Sequence, residues 1–182
     1  EPPRVQTIGV VGTDTYFLER ALSASPGVQV KKLEAAAVAA ETDLAAVVWH
    51  GVTAPGYASA ANLYIACLPA DAGKLGAELT TFTALDWDSA HPISRFVEFG
   101  TLKISKGRHM TLPATATPIV WSQETPLIGT WRHHSKPVVA VGFDPIQSNW
   151  PLLVSFPVFL HNTLQHFAQG TAAVSTLNIT VG

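Results

Sequence analysis

Short apolar runs that end in glycine or in a polar turn are the feature that most constrains this chain. Residues 7–11 form a run rich in β-branched side chains that closes at Gly12, and residues 44–49 form a run that is apolar on both faces. Strands with two buried faces have this pattern, because helices cover both sides of a parallel sheet. The sequence therefore predicts a mostly parallel β-sheet.

Helix and turn signals separate these runs. Thr13 or Asp14 is predicted to cap a helix over residues 16–22, which stops at the Ser-Pro-Gly sequence of residues 25–27. The predicted strands of the sheet are residues 7–11, 28–33, 44–49, 62–68 and 136–143. A glycine-containing loop is predicted at residues 70–76. Strands alternating with helical segments indicate an α/β domain.

The middle of the chain has a different pattern. Residues 95–135 consist of short, polar-interleaved segments punctuated by glycine and proline, which predict a β-rich insertion of antiparallel strands. The polar residues 133–135 resemble a hairpin turn.

A largely apolar segment closes the domain. Residues 152–167 predict a helix that tolerates Pro157 only near its first turn, and residues 176–181 have a strand-like pattern. We therefore expect one α/β domain over residues 1–170, followed at 171–182 by a tail or the start of a further β segment.

Composition limits the function classes. The 182 residues fit a single domain, and only 13% of them are charged against 47% apolar, so we expect a protein partner or neighbouring domain to cover part of the surface. A net charge of −2 without a basic cluster argues against nucleic-acid binding. No apolar run reaches membrane-spanning length, and the start at Glu1-Pro2-Pro3 suggests a piece of a longer protein. Any membrane attachment would then lie outside these residues.

A set of short motifs in a fixed order resembles one known family. The motifs are Asp86-Trp87-Asp88, His91-Pro92, Arg95, Thr125-Pro126-Leu127-Ile128, the run 138–144, Ser148-Asn149-Trp150-Pro151-Leu152, Phe156-Pro157 and Asn162. In order and spacing they resemble the class I glutamine amidotransferase-like domain of bacterial aerotolerance (Bat-type) membrane proteins, where it accompanies a von Willebrand factor A domain. The match covers residues 86–167.

This resemblance implies a flavodoxin-like, mostly parallel sheet with helices on both faces. It also implies a periplasmic or other extracytoplasmic setting in the bacterial cell envelope, with transmembrane helices elsewhere in the parent chain. It does not imply catalysis. Class I glutamine amidotransferases need a cysteine on a GxCxG elbow and a late histidine in an HxE arrangement. Cys67 has no flanking glycines, and no histidine here is followed two residues later by Glu. We therefore expect a non-catalytic interaction or scaffolding domain.

The alternative is a ligand-binding domain, or a cysteine-dependent amidotransferase or hydrolase, that uses a crevice at the carboxyl ends of the strands. His50 follows a predicted strand and so lies where open α/β sheets bind ligands. Asp144 and Asn149 lie in a polar loop after the last strand, where their side chains are predicted to satisfy the free amides of the closing helix.

Asp86, Trp87, Asp88 and His91 form the most polar and aromatic cluster in the sequence. The cluster could line a ligand site, but the favoured interpretation is that it fixes the path of a loop. Its spacing is not that of an established metal site, and the single cysteine offers no zinc motif. No metal or cofactor is predicted.

Overall fold

The computed structural model describes residues 4–179, with side chains described for residues 4–172. In chain order its elements are β1 (Gln6–Gly12), α1 (Tyr16–Ser23), β2 (Val28–Leu33), β3 (Leu44–His50), β4 (Ala61–Ile65), β5 (Lys74–Thr83), β6 (Asp86–Trp87), β7 (Lys103–Thr111), β8 (Thr117–Trp121), β9 (Pro126–His133), β10 (Lys136–Val141) and α2 (Ser155–Ile179). Short 3-10 helices lie at Ala35–Ala40, Pro145–Gln147 and Trp150–Leu152.

An eight-stranded sheet organises the molecule. Its strand order is β2-β1-β3-β4-β10-β9-β8-β6, and the first five strands are parallel. With β10 as the fifth parallel strand, this is the flavodoxin-like order 2-1-3-4-5. The antiparallel strands β9, β8 and β6 extend one edge. The predicted mostly parallel sheet is confirmed.

Alternate side chains of the central strands enter two separate cores. In β3, Ala46 and Val48 point into a core that contains Leu18 of α1 and Phe159 of α2. Val47 and Trp49 of the same strand point to the other side, where Val38 and Leu68 cover them. The two-sided burial inferred from the sequence is therefore present.

The expectation of helices on both faces of the sheet is wrong. Both described α-helices, α1 and α2, pack on one face. The other face is covered by the 3-10 helix Ala35–Ala40 and by loops, including residues 51–60. These segments are short, and Gly51, Pro55 and Gly56 interrupt the second one, so neither can form an α-helix of useful length.

The β-rich region starts earlier than predicted. β5 begins at Lys74, inside the predicted loop, and pairs with β7 in a separate two-stranded antiparallel sheet. The segment 95–101, assigned to the insertion, consists of turns and irregular backbone, whereas β8 and β9 belong to the main sheet. β5 escaped prediction because all of its residues are exposed or half-buried and half of them are polar, so it lacks the continuous apolar run of a core strand.

The predicted hairpin turn is present, and the cap of α1 lies close to its predicted position. β9 and β10 form an antiparallel hairpin in which His133 pairs with Lys136. Between them His134 and Ser135 have φ values of 45° and 66°, the left-handed pair that a type I′ hairpin turn requires. The cap of α1 is Thr15, one or two residues later than predicted, and its side chain makes no capping hydrogen bond.

The closing helix is longer than predicted. α2 begins at Ser155, so Pro157 is its third residue and lies in the first turn as expected. The helix continues to Ile179, which makes the strand prediction wrong for residues 176–179, while residues 180–181 lie outside the described residues. No proline follows Pro157 to stop the helix, and no element ends at residue 170. Within the described part of the chain, no helix meets the length and apolarity needed to cross a membrane.

Gly12 marks the tightest approach between β1 and β3. Its φ is +129°, and a Cβ atom at this position would lie 2.1 Å from the His50 carbonyl oxygen. We predict that Gly12→Ala lowers the free energy of unfolding by at least ~2 kcal/mol, because both backbone strain and a clash oppose it. Urea denaturation measures this change.

Gly56→Ala is the matched control, since a Cβ atom at Gly56 would meet no atom within 4 Å. Its effect should stay within about 0.5 kcal/mol. Equal effects of the two substitutions would contradict the close approach at Gly12.

Candidate functional site

His50 is the last residue of β3 and joins three parts of the chain at the carboxyl edge of the sheet. Its Nδ1 lies 2.8 Å from the Thr13 carbonyl oxygen, in the turn after β1. Its Nε2 lies 3.0 Å from Asp144 Oδ1, in the loop after β10. The edge of the Phe17 ring packs against the imidazole at 5.5 Å, and only 4% of the His50 side chain is exposed.

The two partners of His50 favour its protonated form. A backbone carbonyl and a carboxylate can only accept hydrogen bonds, so both contacts are satisfied together only when both ring nitrogens carry a proton. Burial lowers the pKa of His50, but the hydrogen bond and charge of Asp144, with contributions from Thr13 and Asp14, leave that pKa raised above 6.5. The site therefore stabilises the imidazolium form of His50 relative to the neutral form.

Asp144 is the counter-ion. Its side chain is 32% exposed, and Oδ1 accepts a second hydrogen bond from the Ile146 amide at 3.1 Å. Burial raises the pKa of Asp144, but the hydrogen bond and charge of His50 outweigh it, and the pKa lies below its ordinary value. The sequence predicted His50 and Asp144 as separate candidates, and the structure brings them together.

Ala66 has the left-handed backbone conformation that a nucleophile elbow uses, although β4 is followed by a loop and β5 and not by the helix of an elbow. It follows β4 directly, has φ of +55°, and donates its N–H to the Val141 carbonyl. A left-handed residue at a strand end is how hydrolases expose a catalytic side chain, but alanine offers only a methyl group.

Cys67, the next residue, is buried and contacts the backbone. Its Sγ donates to the Trp49 carbonyl at 3.4 Å, and burial raises the pKa of its thiol. Reactive cysteines have a lowered pKa and an accessible sulfur. Because the nitrogens of His50 already bind Thr13 and Asp144, that imidazole has no free nitrogen to activate a thiol.

The predicted polar cluster at residues 86–91 fixes a loop. Asp86 and Asp88 each accept a hydrogen bond from a backbone amide within two residues of themselves, and the Trp87 ring packs on Phe99. His91 Nδ1 accepts from the Ile93 amide. These contacts agree with the favoured, structural interpretation of the cluster.

His91 also packs against an imidazole of α2. The His91 and His166 ring centroids lie 5.6 Å apart, and burial lowers the pKa of both rings. Among the described residues, no three histidine, cysteine or acidic side chains come together as a metal site.

Asn149 has a different role from the one predicted. Its Oδ1 accepts from the Lys103 amide at 2.8 Å and its Nδ2 donates to the Thr101 carbonyl at 2.9 Å, so it ties its loop to the start of β7. The amides of α2 are not its partners. Asp144 and Ser148 instead bind amides of the short 3-10 helices between β10 and α2, because these helices, absent from the prediction, come first along the chain.

Neither described groove contains the His50–Asp144 pair. A groove of about 600 Å³ lies at the amino ends of β1, β3 and β4, against the second half of α2. A smaller groove of about 260 Å³ lies beside β5. Neither groove is the ligand crevice expected at the carboxyl edge, where the Phe17 ring packs against both His50 and Phe156.

Sequence reasoning missed Thr13, Phe17 and Ala66 as parts of this site. Thr13 contributes only a backbone carbonyl, which no side-chain pattern reports. Phe17 was assigned to a helix, and only the packing of that helix places its ring on His50. The position of Ala66 at a predicted strand end was visible, but its left-handed φ was not.

Comparisons with known proteins support the fold alone. No protein-family model matches the chain, and no curated protein matches it significantly. Two solved structures described as cytoplasmic proteins, one from Salmonella typhimurium LT2 and one from Salmonella typhimurium, superpose with TM-scores of 0.73 and 0.66. Each is 10% identical, over 90% of this chain and 99% of the other.

A glutamine amidotransferase of Thermotoga maritima superposes with a TM-score of 0.47 and 11% identity, over 94% of this chain and 86% of that one. The stronger pair places the chain in a mixed α/β fold with a large, mostly parallel sheet, in agreement with its strand order.

The His50–Asp144 pair gives stability a defined pH dependence. Because the pKa of His50 is raised, its contribution is complete below the unfolded value of about 6.5 and is lost as pH rises through the folded pKa. Because the pKa of Asp144 is lowered, its contribution is complete above about 3.8 and is lost as pH falls through the folded pKa. The pair should therefore stabilise most between these two values.

We predict that Asp144→Asn lowers the free energy of unfolding by about 2 kcal/mol at pH 5.5 and by clearly less at pH 9. Urea denaturation at both pH values measures the difference. Asp43→Asn, which removes an exposed carboxylate, is the control and should show no such pH dependence. A loss that is equal at pH 5.5 and pH 9 would exclude an imidazolium at His50.

Proposed function

We propose that this domain is a non-catalytic interaction or scaffolding module. The observation that carries the proposal is the chemistry of the carboxyl edge, where enzymes of this architecture place their reacting groups. The elbow position holds Ala66, the thiol of Cys67 is buried, and both nitrogens of His50 are occupied. A nucleophile and a free general base are both lacking among these groups.

Exposed apolar side chains near the same edge support a binding role. Tyr16 follows the turn after β1, and Ile146, Leu152 and Val154 follow β10; all four are exposed, Leu152 to 88% and Val154 to 81%. The stacked rings of Phe17 and Phe156 and the His50–Asp144 pair hold these two segments together. Exposed apolar side chains are typical of protein-binding surfaces where they lie together in one patch, and these four lie on two segments that meet at one edge of the sheet.

The sequence resemblance extends the proposal to a setting. On that basis we propose that the domain belongs to a glutamine amidotransferase-like branch of the fold, found in a Bat-type protein of the bacterial cell envelope. The partner would then be a neighbouring domain of the same chain or a second envelope protein. Sequencing of the parent gene tests this: transmembrane helices and a von Willebrand factor A domain in the same chain would support it, and a parent chain without them would refute it.

A small-ligand-binding domain is the second candidate function. The groove of about 600 Å³ at the amino ends of the strands favours it, since Arg4, Glu41 and Lys136 add charged groups to a partly apolar lining. A thermal-shift screen with glutamine, nucleotides, sugars and divalent metals tests it. A stabilising compound whose effect is lost in Lys136→Ala would favour this candidate over the interaction module.

The non-catalytic proposal predicts that the purified domain turns over neither glutamine nor simple esters. It also predicts slow alkylation of Cys67 by iodoacetamide in the folded protein, because the thiol is buried and its pKa is raised, and fast alkylation in urea. Mass spectrometry measures the rates. Turnover by the wild-type protein that disappears in Cys67→Ser would contradict the proposal.

Substitution of the exposed apolar side chains should weaken binding without destabilising the domain. The double variant Leu152→Ser and Val154→Ser should keep the unfolding free energy within about 0.5 kcal/mol per substitution, since both side chains are exposed, yet should lose binding to the partner. Binding is measured by photo-crosslinking from residue 153 in the full parent chain.

Leu85→Ser is the matched control, because Leu85 is also exposed but lies beside β6, three strands away from β10 in the sheet. Its crosslink should be unchanged. If the crosslink survives in the double variant, or is lost equally in the control, the binding surface lies elsewhere on the domain.

A further inference from the structure

We propose that His50 is a protonation-dependent bridge that links the turn after β1 to the loop after β10, and that loss of its proton disconnects these two segments. The bridge consists of two hydrogen bonds from one ring, to the Thr13 carbonyl at 2.8 Å and to Asp144 at 3.0 Å. The proposal concerns a conformational property of the domain and does not depend on the identity of any partner.

The geometry makes the bridge depend on a proton. A neutral imidazole has one N–H and one lone pair, whereas both partners of His50 present only lone pairs. After deprotonation one of the two contacts must therefore place two lone pairs about 3 Å apart in a buried site. That contact has to open. While the ring stays buried, no water molecule can reach the two facing acceptor atoms and donate a hydrogen bond to them.

The other charged groups around His50 do not replace the bridge. Asp14, in the turn after β1, is a carboxylate and also favours the imidazolium. Lys32, at the end of β2, donates to the Gly12 carbonyl and thus holds the residue before Thr13. From α1 the ring faces only Phe17, which is itself stacked on Phe156 of α2. Asp144 is the carboxylate that contacts the ring from the β10 side.

The bridge has structural consequences on both sides. Asp144 Oδ1 also accepts from the Ile146 amide, so release of the carboxylate would uncap the 3-10 helix Pro145–Gln147. Release of Thr13 would instead loosen the turn into α1, where Asp14 has a left-handed φ of 54°. In either case a segment that carries exposed apolar side chains becomes free to move.

Hydrogen exchange combined with NMR tests the proposal. The ¹⁵N shifts of His50 in the wild-type protein should show both nitrogens protonated at pH 6 and one deprotonated at high pH. Over the same titration, protection of amides in residues 14–18 or 144–149, corrected for intrinsic exchange, should fall roughly tenfold for each pH unit by which the bridge raises the pKa of the ring. Amides in the centre of β3 should stay protected.

Two variants separate the bridge from a general loss of packing. In Asp144→Asn the carboxylate that faces Nε2 is gone, so the ring should lose its proton at a lower pH and protection should no longer be lost at the wild-type pH. His91→Gln, which alters another partly buried imidazole, should keep the wild-type titration. If His50→Gln folds, its protection should be independent of pH across this range.

Three results would overturn the proposal. The first is a neutral His50 at pH 6. The second is a titrating His50 without any loss of protection in either segment. The third is an Asp144→Asn protein that loses protection at high pH as the wild type does.

Discussion

Burial of the central strands on both faces is the constraint from which the rest of the structure follows. β1, β3, β4 and β10 send alternate side chains into two cores, one under α1 and α2 and the other under a 3-10 helix and loops. Side chains in the middle of these strands must therefore be apolar or fully hydrogen bonded. Asn62 meets the second condition, with Trp49, Ala58 and Ala60 as partners. Groups that could react or bind a ligand are therefore expected at the ends of the strands.

The carboxyl ends gather residues that are far apart in the sequence. Thr13, His50 and Asp144 meet because β1, β3 and β10 run in the same direction and end at the same edge. The imidazolium form of the buried ring is favoured there, because each N–H then has an acceptor and a carboxylate balances the charge. The same two contacts use both ring nitrogens of His50. No free nitrogen therefore remains to act as a general base.

The sequence predicted the individual strands and residues of this edge better than the contacts between them. Apolar runs predicted the parallel strands, and strand-end positions selected His50 and Asp144, because periodicity is a local property that a single sequence displays. Their pairing spans 94 residues and depends on strand order, which no local pattern contains. β5 was missed because a mostly exposed strand lacks the continuous apolar run of a core strand, and α2 was cut short because a β-branched stretch in an ongoing helix resembles a strand.

Ala66 has the left-handed backbone conformation found at catalytic elbows but has no side chain that could react. Its left-handed φ is imposed by the sheet: the Ala66 amide binds the Val141 carbonyl, and the Gly51 amide binds the Ile65 carbonyl just before it. Such a turn costs on the order of 1 kcal/mol for a non-glycine residue and persists only where neighbouring contacts hold it. The contacts that hold it here are backbone hydrogen bonds, which do not depend on the side chain at position 66. The left-handed strand end is therefore no evidence of catalysis by itself, and what argues against catalysis is the methyl side chain of Ala66, the burial of Cys67 and the two occupied nitrogens of His50.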